Sequence, residues 1–251
     1  MRRLDYGTIK DTLVTWLVER VEQAGADGLL IGLSGGIDSS VTAALARLAF
    51  PRNSFGVILP CHSQQTDQED AMRLADAIGL PYKSVCLDAV YDEMLHAVDP
   101  QVPYEDKPLS YSNIKPRLRM TALYFEASLR NYLVAGTGNK SEFVTGYFTK
   151  YGDGGVDLEP LGELLKTDVR ALAAELGVPE SIIEKAPTAG LWTDQTDEDE
   201  MGFTYEQLDR YILSGEAKPD IARRIERLNR SSMHKKTPPP ICPLGLTYNI
   251  D

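Results

Sequence analysis

Gly28-Leu29-Leu30-Ile31-Gly32-Leu33-Ser34-Gly35-Gly36-Ile37-Asp38-Ser39-Ser40 reads as a short buried strand, a glycine-rich turn and the opening of a helix. An Ala/Leu-rich helix follows to about Phe50. Strand, glycine turn and helix in that order present backbone N–H groups and a helix dipole to phosphate. Gly35 and Gly36 permit close approach, while Ser34, Ser39 and Ser40 add hydroxyl donors. A Walker loop would place a lysine before its last hydroxyl residue, and none stands there. The loop carries Asp38 instead, a carboxylate that is tolerable among phosphates if it holds Mg²⁺.

On the N-terminal side, residues 5–24 place Ile9, Leu13, Trp16, Leu17 and Val21 on one helical face, with Asp5 placed to cap it. On the C-terminal side a second strand is expected at 55–59. Thr66-Asp67-Gln68-Glu69 has the form of a capping box, opening a helix that carries Ala71, Leu74, Ala75 and Ile78. Residues 82–87 read as a third strand and 132–135 as a fourth, after a long helix from about Asn113. Strands alternating with helices imply a doubly wound α/β fold: a mostly parallel, Rossmann-like sheet with helices on both faces. Ligands of such folds lie beyond the carboxyl ends of the strands. The glycine-rich segments 34–40 and 136–142 both follow strands and fall on that rim. Beyond Pro187 the chain is helical but acidic and interrupted, with a mobile loop expected at 194–200 and an irregular tail around Pro238-Pro239-Pro240.

The 251 residues suit a single domain, and the net charge of −11 argues against a long nucleic-acid partner, which would need many Lys and Arg contacts. No apolar run is long enough to span a bilayer, and Met1–Asp5 lacks the apolar core of a secretory signal, so a cytoplasmic protein is expected. Cys61, Cys86 and Cys242 have neither zinc nor redox spacing and read as reduced structural thiols. A Cys61–His62 nucleophile is disfavoured, because catalytic dyads are usually assembled in space rather than from sequence neighbours.

Ser34-Gly35-Gly36-Ile37-Asp38-Ser39 resembles the pyrophosphate loop of the ATP-pyrophosphatase (adenine nucleotide alpha hydrolase) superfamily, whose members split ATP between its α and β phosphates. Further segments resemble the NAD synthetase family in particular. They are Asn113-Ile114-Lys115-Pro116-Arg117-Leu118-Arg119-Met120, Gly136-Thr137-Gly138-Asn139-Lys140-Ser141-Glu142, and Phe148-Thr149-Lys150-Tyr151-Gly152-Asp153-Gly154-Gly155-Val156-Asp157. Pro187-Thr188-Ala189-Gly190-Leu191-Trp192 follows the family's C-terminal pattern, together with Gln195–Glu198 and Gly202–Tyr205. Pro116 departs from it where the family commonly has a small helix former, a change tolerated early in a helix.

The resemblance implies ATP-dependent amidation of deamido-NAD with ammonia, through an adenylated nicotinate carboxylate. It assigns ATP to Gly32, Leu33, Ser34, Gly35, Gly36, Ile37, Asp38, Ser39, Thr137, Lys166 and Thr188, and Mg²⁺ to Asp38 and Glu142. Deamido-NAD falls to Arg117, Lys150, Asp157, His234 and Lys235. Arg117 and Arg119, two apart, point to different helix faces, so Arg119 is read as structural or interfacial. Arg117, Lys150 and Lys166 retain the alternative of ordinary solvated charges, Asp153-Gly154-Gly155 that of a plain turn, and His234-Lys235 that of basic residues at a helix end. Lys166 and Asp153 are the catalytic candidates, Asp153 as the carboxylate that binds ammonium and takes its proton.

About thirty residues precede the loop, too few for a fused glutamine amidase, so one NAD synthetase domain is expected over 1–251. Free ammonia, or ammonia from a separate glutaminase, is then the donor. The resemblance also implies a homodimer. GMP synthetase shares the loop and the adenylation chemistry but not the 148–157 segment. A nucleotide-binding regulator without catalysis is the reading from outside the enzyme class.

Overall fold

The computed structural model describes residues 4–99, 109–188 and 196–243. Asp5 caps helix α1 (Tyr6–Gln23) by accepting the N–H groups of Gly7 and Thr8, the arrangement that satisfies first-turn donors. Strand β1 (Gly28–Gly32) leads into α2 (Ile37–Ala49); β2 (Ser54–Ile58), α3 (Gln65–Ile78), β3 (Tyr82–Ser84) and α4 (Asp88–Val98) follow. Next come α5 (Leu109–Ser112), α6 (Ile114–Arg130), β4 (Tyr132–Ala135) and α7 (Lys140–Thr145). The remaining helices are α8 (Lys166–Glu175), α9 (Glu180–Ile183), α10 (Asp197–Met201), α11 (Tyr205–Ser214), α12 (Pro219–Ser231) and α13 (Met233–Lys236).

The four strands are parallel, in the order β3-β2-β1-β4. Alternation along β1 divides the core: Leu29 and Ile31 pack with α1, α2, α3 and α8, whereas Leu30 packs on the opposite face with residues of α4 and α6. Strands buried on both faces are the signature of a doubly wound sheet, as the alternating pattern implied. After β1 the chain moves outward to β2 and β3, and later returns to place β4 on the other flank. The crevice between β1 and β4 at their carboxyl ends is therefore a topological switch point, where such sheets bind ligands. A separate cluster of Met201, Phe203, Tyr205, Leu208 and Ile225, built from α10, α11 and α12, packs beside α7.

Three local expectations change. Helix α3 begins at Gln65, so Thr66 already has helical backbone, and Gln64 at the cap position makes no side-chain bond; the box at Thr66–Glu69 does not form. Strand β3 ends at Ser84, although Val85 and Leu87 still donate to the carbonyls of Ile58 and Pro60. The loop expected at 194–200 is a helix from Asp197 onward, capped by Thr196, whose hydroxyl accepts the Asp199 N–H. Four consecutive acids suit a first helical turn, where the dipole favours negative charge. Residues 189–195, which hold part of the C-terminal pattern and the start of the expected loop, lie outside the described residues.

Candidate functional site

A cavity of about 530 Å³ opens at the switch point, bordered by the glycine loop, the ends of β2 and β4, α6, α7 and the segment 145–156. That volume suits a ligand of nucleotide size. Gly35 has φ +79°, and a Cβ there would stand 2.2 Å from the carbonyl oxygen of Asp67, so glycine is required on both counts. The loop is internally braced. Ser34 N–H donates to Ser39 Oγ at 3.3 Å, Gly36 N–H donates to Ser34 Oγ at 3.2 Å, and the two hydroxyls lie 2.9 Å apart. Ser40 is fully buried, and its hydroxyl donates to the Gly36 carbonyl at 2.8 Å. That bond, and the one Ser39 Oγ donates to the same carbonyl at 2.9 Å, hold the first turn of α2.

Behind the loop, two carboxylates converge on one ammonium. Asp38 Oδ2 lies 2.5 Å and Glu142 Oε1 3.0 Å from Lys166 Nζ, and the lysine side chain is 3% exposed. Asn139 sets the angle of approach. Its Oδ1 accepts the Glu142 N–H, its main-chain N–H donates to Glu142 Oε2, and its Nδ2 donates to Asp38 Oδ1 at 2.9 Å. Lys166 opens α8 by donating its main-chain N–H to Ser141 Oγ, which in turn donates to Asp209. The C-terminal cluster adds Tyr205, whose ring centroid is 4.9 Å from Nζ and whose hydroxyl donates to Asp197 at 2.9 Å.

Burial works to lower the Lys166 pKa, but the flanking carboxylates of Asp38 and Glu142 outweigh it and raise the value, keeping the ammonium charged. Burial also pushes the Glu142 carboxyl up, against the pull of Lys166.

The opposite rim is formed by the turn at 149–155 and by α13. Asp153 borders the cavity, and its Oδ1 accepts the Thr149 N–H at 2.8 Å. Asp153 is exposed at the cavity rim; partial desolvation by neighbouring protein atoms raises its carboxyl, while that N–H and nearby Lys235 pull it back. Lys150 Nζ donates to the His234 carbonyl at 2.6 Å, and Arg117 Nη2 donates to the Lys150 carbonyl at 3.4 Å. Lys235 Nζ donates to the carbonyls of Gly146 and Phe148. Arg117, Lys150, His234 and Lys235 thus meet along one edge, with only Lys235 of the four at the cavity wall. Asp157 stands apart: its carboxylate accepts the Tyr124 hydroxyl and the Val134 N–H. Thr137 and Thr188 both border the cavity.

Other groups at the site carry little or no local signal. Arg119 lines the cavity and ties α6 to the end of β2 through the Leu59 carbonyl and Ser63 Oγ. Glu159 accepts the Gly138 N–H, and desolvation pushes its carboxyl up to about 8. Cys61 is fully buried, and burial raises its thiol, while the neighbouring His62 ring is bonded to Asp92 at 2.8 Å. A thiolate is disfavoured there, and all three cysteines are free.

The family model of NAD synthase matches residues 9–239. A curated relative, the NH(3)-dependent NAD(+) synthetase of Carboxydothermus hydrogenoformans, is 50% identical over 95% of this chain and 98% of its own length. Among solved structures, an NMN synthetase from Francisella tularensis superposes with a TM-score of 0.89 at 36% identity, covering 99% of this chain and 100% of that one. An NH3-dependent NAD synthetase from Campylobacter jejuni gives 0.78 at 31% identity, covering 96% and 100%.

Proposed function

The chain belongs to the NAD synthase family, and from that premise we propose how its residues divide the work of amidating deamido-NAD with ammonia and ATP. The nicotinate carboxylate is a charged, poor electrophile with no leaving group. Adenylation answers both faults: a carboxylate oxygen attacks the α-phosphorus of ATP, pyrophosphate departs, ammonia then attacks the acyl carbon, and AMP leaves. The observation that carries the assignment is the meeting of Asp38, Glu142 and Lys166 beside a glycine loop that has no Walker lysine.

The glycine loop takes the pyrophosphate portion through backbone N–H groups at the start of α2, and Lys166 supplies the cationic charge the loop lacks. Thr137 and Thr188 contact ATP, while Arg117, Lys150, Asp157, His234 and Lys235 receive the deamido-NAD. Asp38 and Glu142 both line the cavity and would offer a magnesium ion the carboxylate oxygens it favours. No group of three or more His, Cys, Asp or Glu able to hold a metal occurs among the described residues; Mg²⁺ commonly takes one or two carboxylates and completes its shell with phosphate oxygens and water. Such an ion supplies charge neutralisation on the phosphates. Asp153 attracts ammonium and accepts its proton.

The test mixes protein, Mg²⁺, ATP and deamido-NAD with either ammonium or glutamine. NAD and AMP are expected with ammonium and little of either with glutamine; efficient glutamine use would overturn the donor, and no AMP at all would leave a nucleotide-binding protein. An arm with nicotinate mononucleotide is included because the similar Francisella tularensis structure is that of an NMN synthetase. Preference for that substrate would move the acceptor while keeping the chemistry. A separate glutaminase as ammonia source, one catalytic domain over 1–251 and a cytoplasmic setting complete this proposal, the last supported by three free thiols.

The homodimer is also part of the proposal. Val90, Met94 and Val98 form an exposed stripe at i, i+4, i+8 on α4, and Phe125 and Leu129 are exposed on α6, which α4 packs against. Apolar faces on two neighbouring helices suit a self-complementary interface. Phe125→Glu should shift sedimentation from dimer to monomer; a monomeric parent would overturn the proposed homodimer.

A further inference from the structure

The stretch 184–188, between α9 and the undescribed residues, is held at two points. At one end, Lys185 Nζ donates to Asp67 Oδ1 and Asp70 Oδ2, each at 2.7 Å. The two carboxylates stand one turn apart on α3, and their side chains are 19% and 14% exposed against 26% for the lysine. At the other end, the Pro187 carbonyl accepts the Asp197 N–H at 3.1 Å. That second tie leads to the Tyr205–Asp197 pair beside Lys166. Arg73 adds a further brace between the same elements, donating to Asp70 and to Ser181 of α9.

Asp67 is also the residue on which the glycine loop rests, since its carbonyl oxygen lies only 2.2 Å from where a Gly35 Cβ would stand. A continuous mechanical path therefore runs from Gly35 through Asp67 to Lys185, and three residues further on to Thr188 at the cavity wall. An exposed lysine pair would hold little. Here one partly enclosed ammonium bridges two carboxylates, and its loss would leave like charges facing each other at the base of the loop.

We propose that Lys185 is a positioning residue for the nucleotide: through Asp67 and Asp70 it fixes the 184–188 stretch against α3, so that Thr188 and the glycine loop keep one spacing across the ATP. The proposal rests on the ATP assignment made above. Its rival is direct contact, with Lys185 leaving its carboxylates to meet a phosphate. The two differ in what the acids do. For a positioning lysine, removing an acid mimics removing the lysine; for a phosphate-binding lysine, removing an acid frees it and preserves or improves binding.

The experiment measures ATP dissociation constants by titration calorimetry on the full chain with Mg²⁺. It compares the parent with Lys185→Met, Lys185→Arg and Asp70→Asn, each first checked for a cooperative thermal transition. Steady-state assays then give KM for ATP and kcat. Lys185→Met should weaken ATP on the order of tenfold, less than the roughly 10²-fold that a full ångström of misplacement costs. The loss should appear in KM for ATP, with kcat at saturating ATP within about twofold of the parent, as for binding lost equally from ground and transition states. Asp70→Asn should move the same way by less, and Lys185→Arg should recover part of the loss, because a guanidinium can bridge two carboxylates. Unchanged ATP affinity in Lys185→Met overturns the proposal while leaving the function intact. So does weak binding in Lys185→Met beside undiminished binding in Asp70→Asn, which identifies a direct phosphate contact. A parent that binds no ATP overturns the assignment of the site itself, and this proposal with it.

Discussion

Lys166→Met is expected to slow AMP formation on the order of 10²–10³-fold and to lower the melting temperature of the same protein. The two losses share one cause. Lys166 Nζ sits between Asp38 Oδ2 and Glu142 Oε1 with almost no access to solvent. Methionine keeps the length and removes the charge, leaving two partly enclosed carboxylates, each 16% exposed, without their counter-ion; breaking a fully buried pair from one side typically costs about 3–5 kcal/mol, an upper limit here. Catalytically, the glycine loop has no lysine of its own, so the variant also lacks compensation for the charge that develops as pyrophosphate leaves. Added Mg²⁺ should raise the melting temperature of the variant more than that of the parent, since a ligand stabilises the fold more the tighter it binds, by the logarithm of its concentration over its Kd. In the parent the same oxygens already hold an ammonium. Pyrophosphate release measured by rapid quench, with melting curves at several Mg²⁺ concentrations, checks both parts. A rate near the parent's, or equal Mg²⁺ shifts in the two proteins, counts against the role given to Lys166.

How far such a centre can be read in advance depends on the range of the signal. β1, the glycine turn and α2 were legible because each is written in consecutive residues: an apolar run buried on both faces, then glycines, then a helical pattern. The strand order β3-β2-β1-β4 was not, since register between distant strands has no local trace. Helix α10 was read as loop because acid-rich stretches are commonly solvated. What makes it a helix is Thr196 at its cap and the burial of Asp197 under the Tyr205 hydroxyl, a contact with another element.

The site divides in the same way. Motif resemblance named Asp38, Glu142 and Lys166, yet Asp38 and Lys166 are 128 residues apart, and only the fold brings them to one point. Asn139 could have been found, because Asn-x-x-Glu at 139–142 is a capping-box pattern of the kind sought instead at Thr66. Tyr205, Asp209 and Asp197 lie on a separate helical cluster, and nothing near them in sequence points to Lys166. The spacing argument for Arg117 and Arg119 correctly sent them different ways. It could not say which would face inward, and Arg119 is the one at the cavity wall.

Asp153→Asn should separate the two halves of the reaction, leaving pyrophosphate release near the parent's rate and slowing amide formation on the order of 10²-fold, the lower range for loss of a positioned proton acceptor. The substitution keeps the local fold. The asparagine Oδ1 can still accept the Thr149 N–H that Asp153 holds at 2.8 Å, and the bonds from the Gly152 and Gly154 N–H groups to the Thr149 carbonyl do not involve the side chain. What disappears is the negative charge that draws ammonium in and the oxygen that takes its proton. Although Asp153 is exposed at the cavity mouth, the protein atoms crowded around it displace enough water to raise its carboxyl above the ordinary value, so it stays protonated, and inactive in this role, to a higher pH than an aspartate in bulk water. Amide formation in the parent should therefore fall as pH drops through that raised value, steeper than the decline in free ammonia alone. In Asp153→Asn the extra steepness should vanish, leaving only the titration of ammonium. Single-turnover pyrophosphate release without ammonium, followed by NAD formation once ammonium is added, resolves the two steps. Equal loss in both, or an acid limb identical in the two proteins, would return Asp153 to the role its Thr149 bond already gives it, that of a residue that shapes the turn.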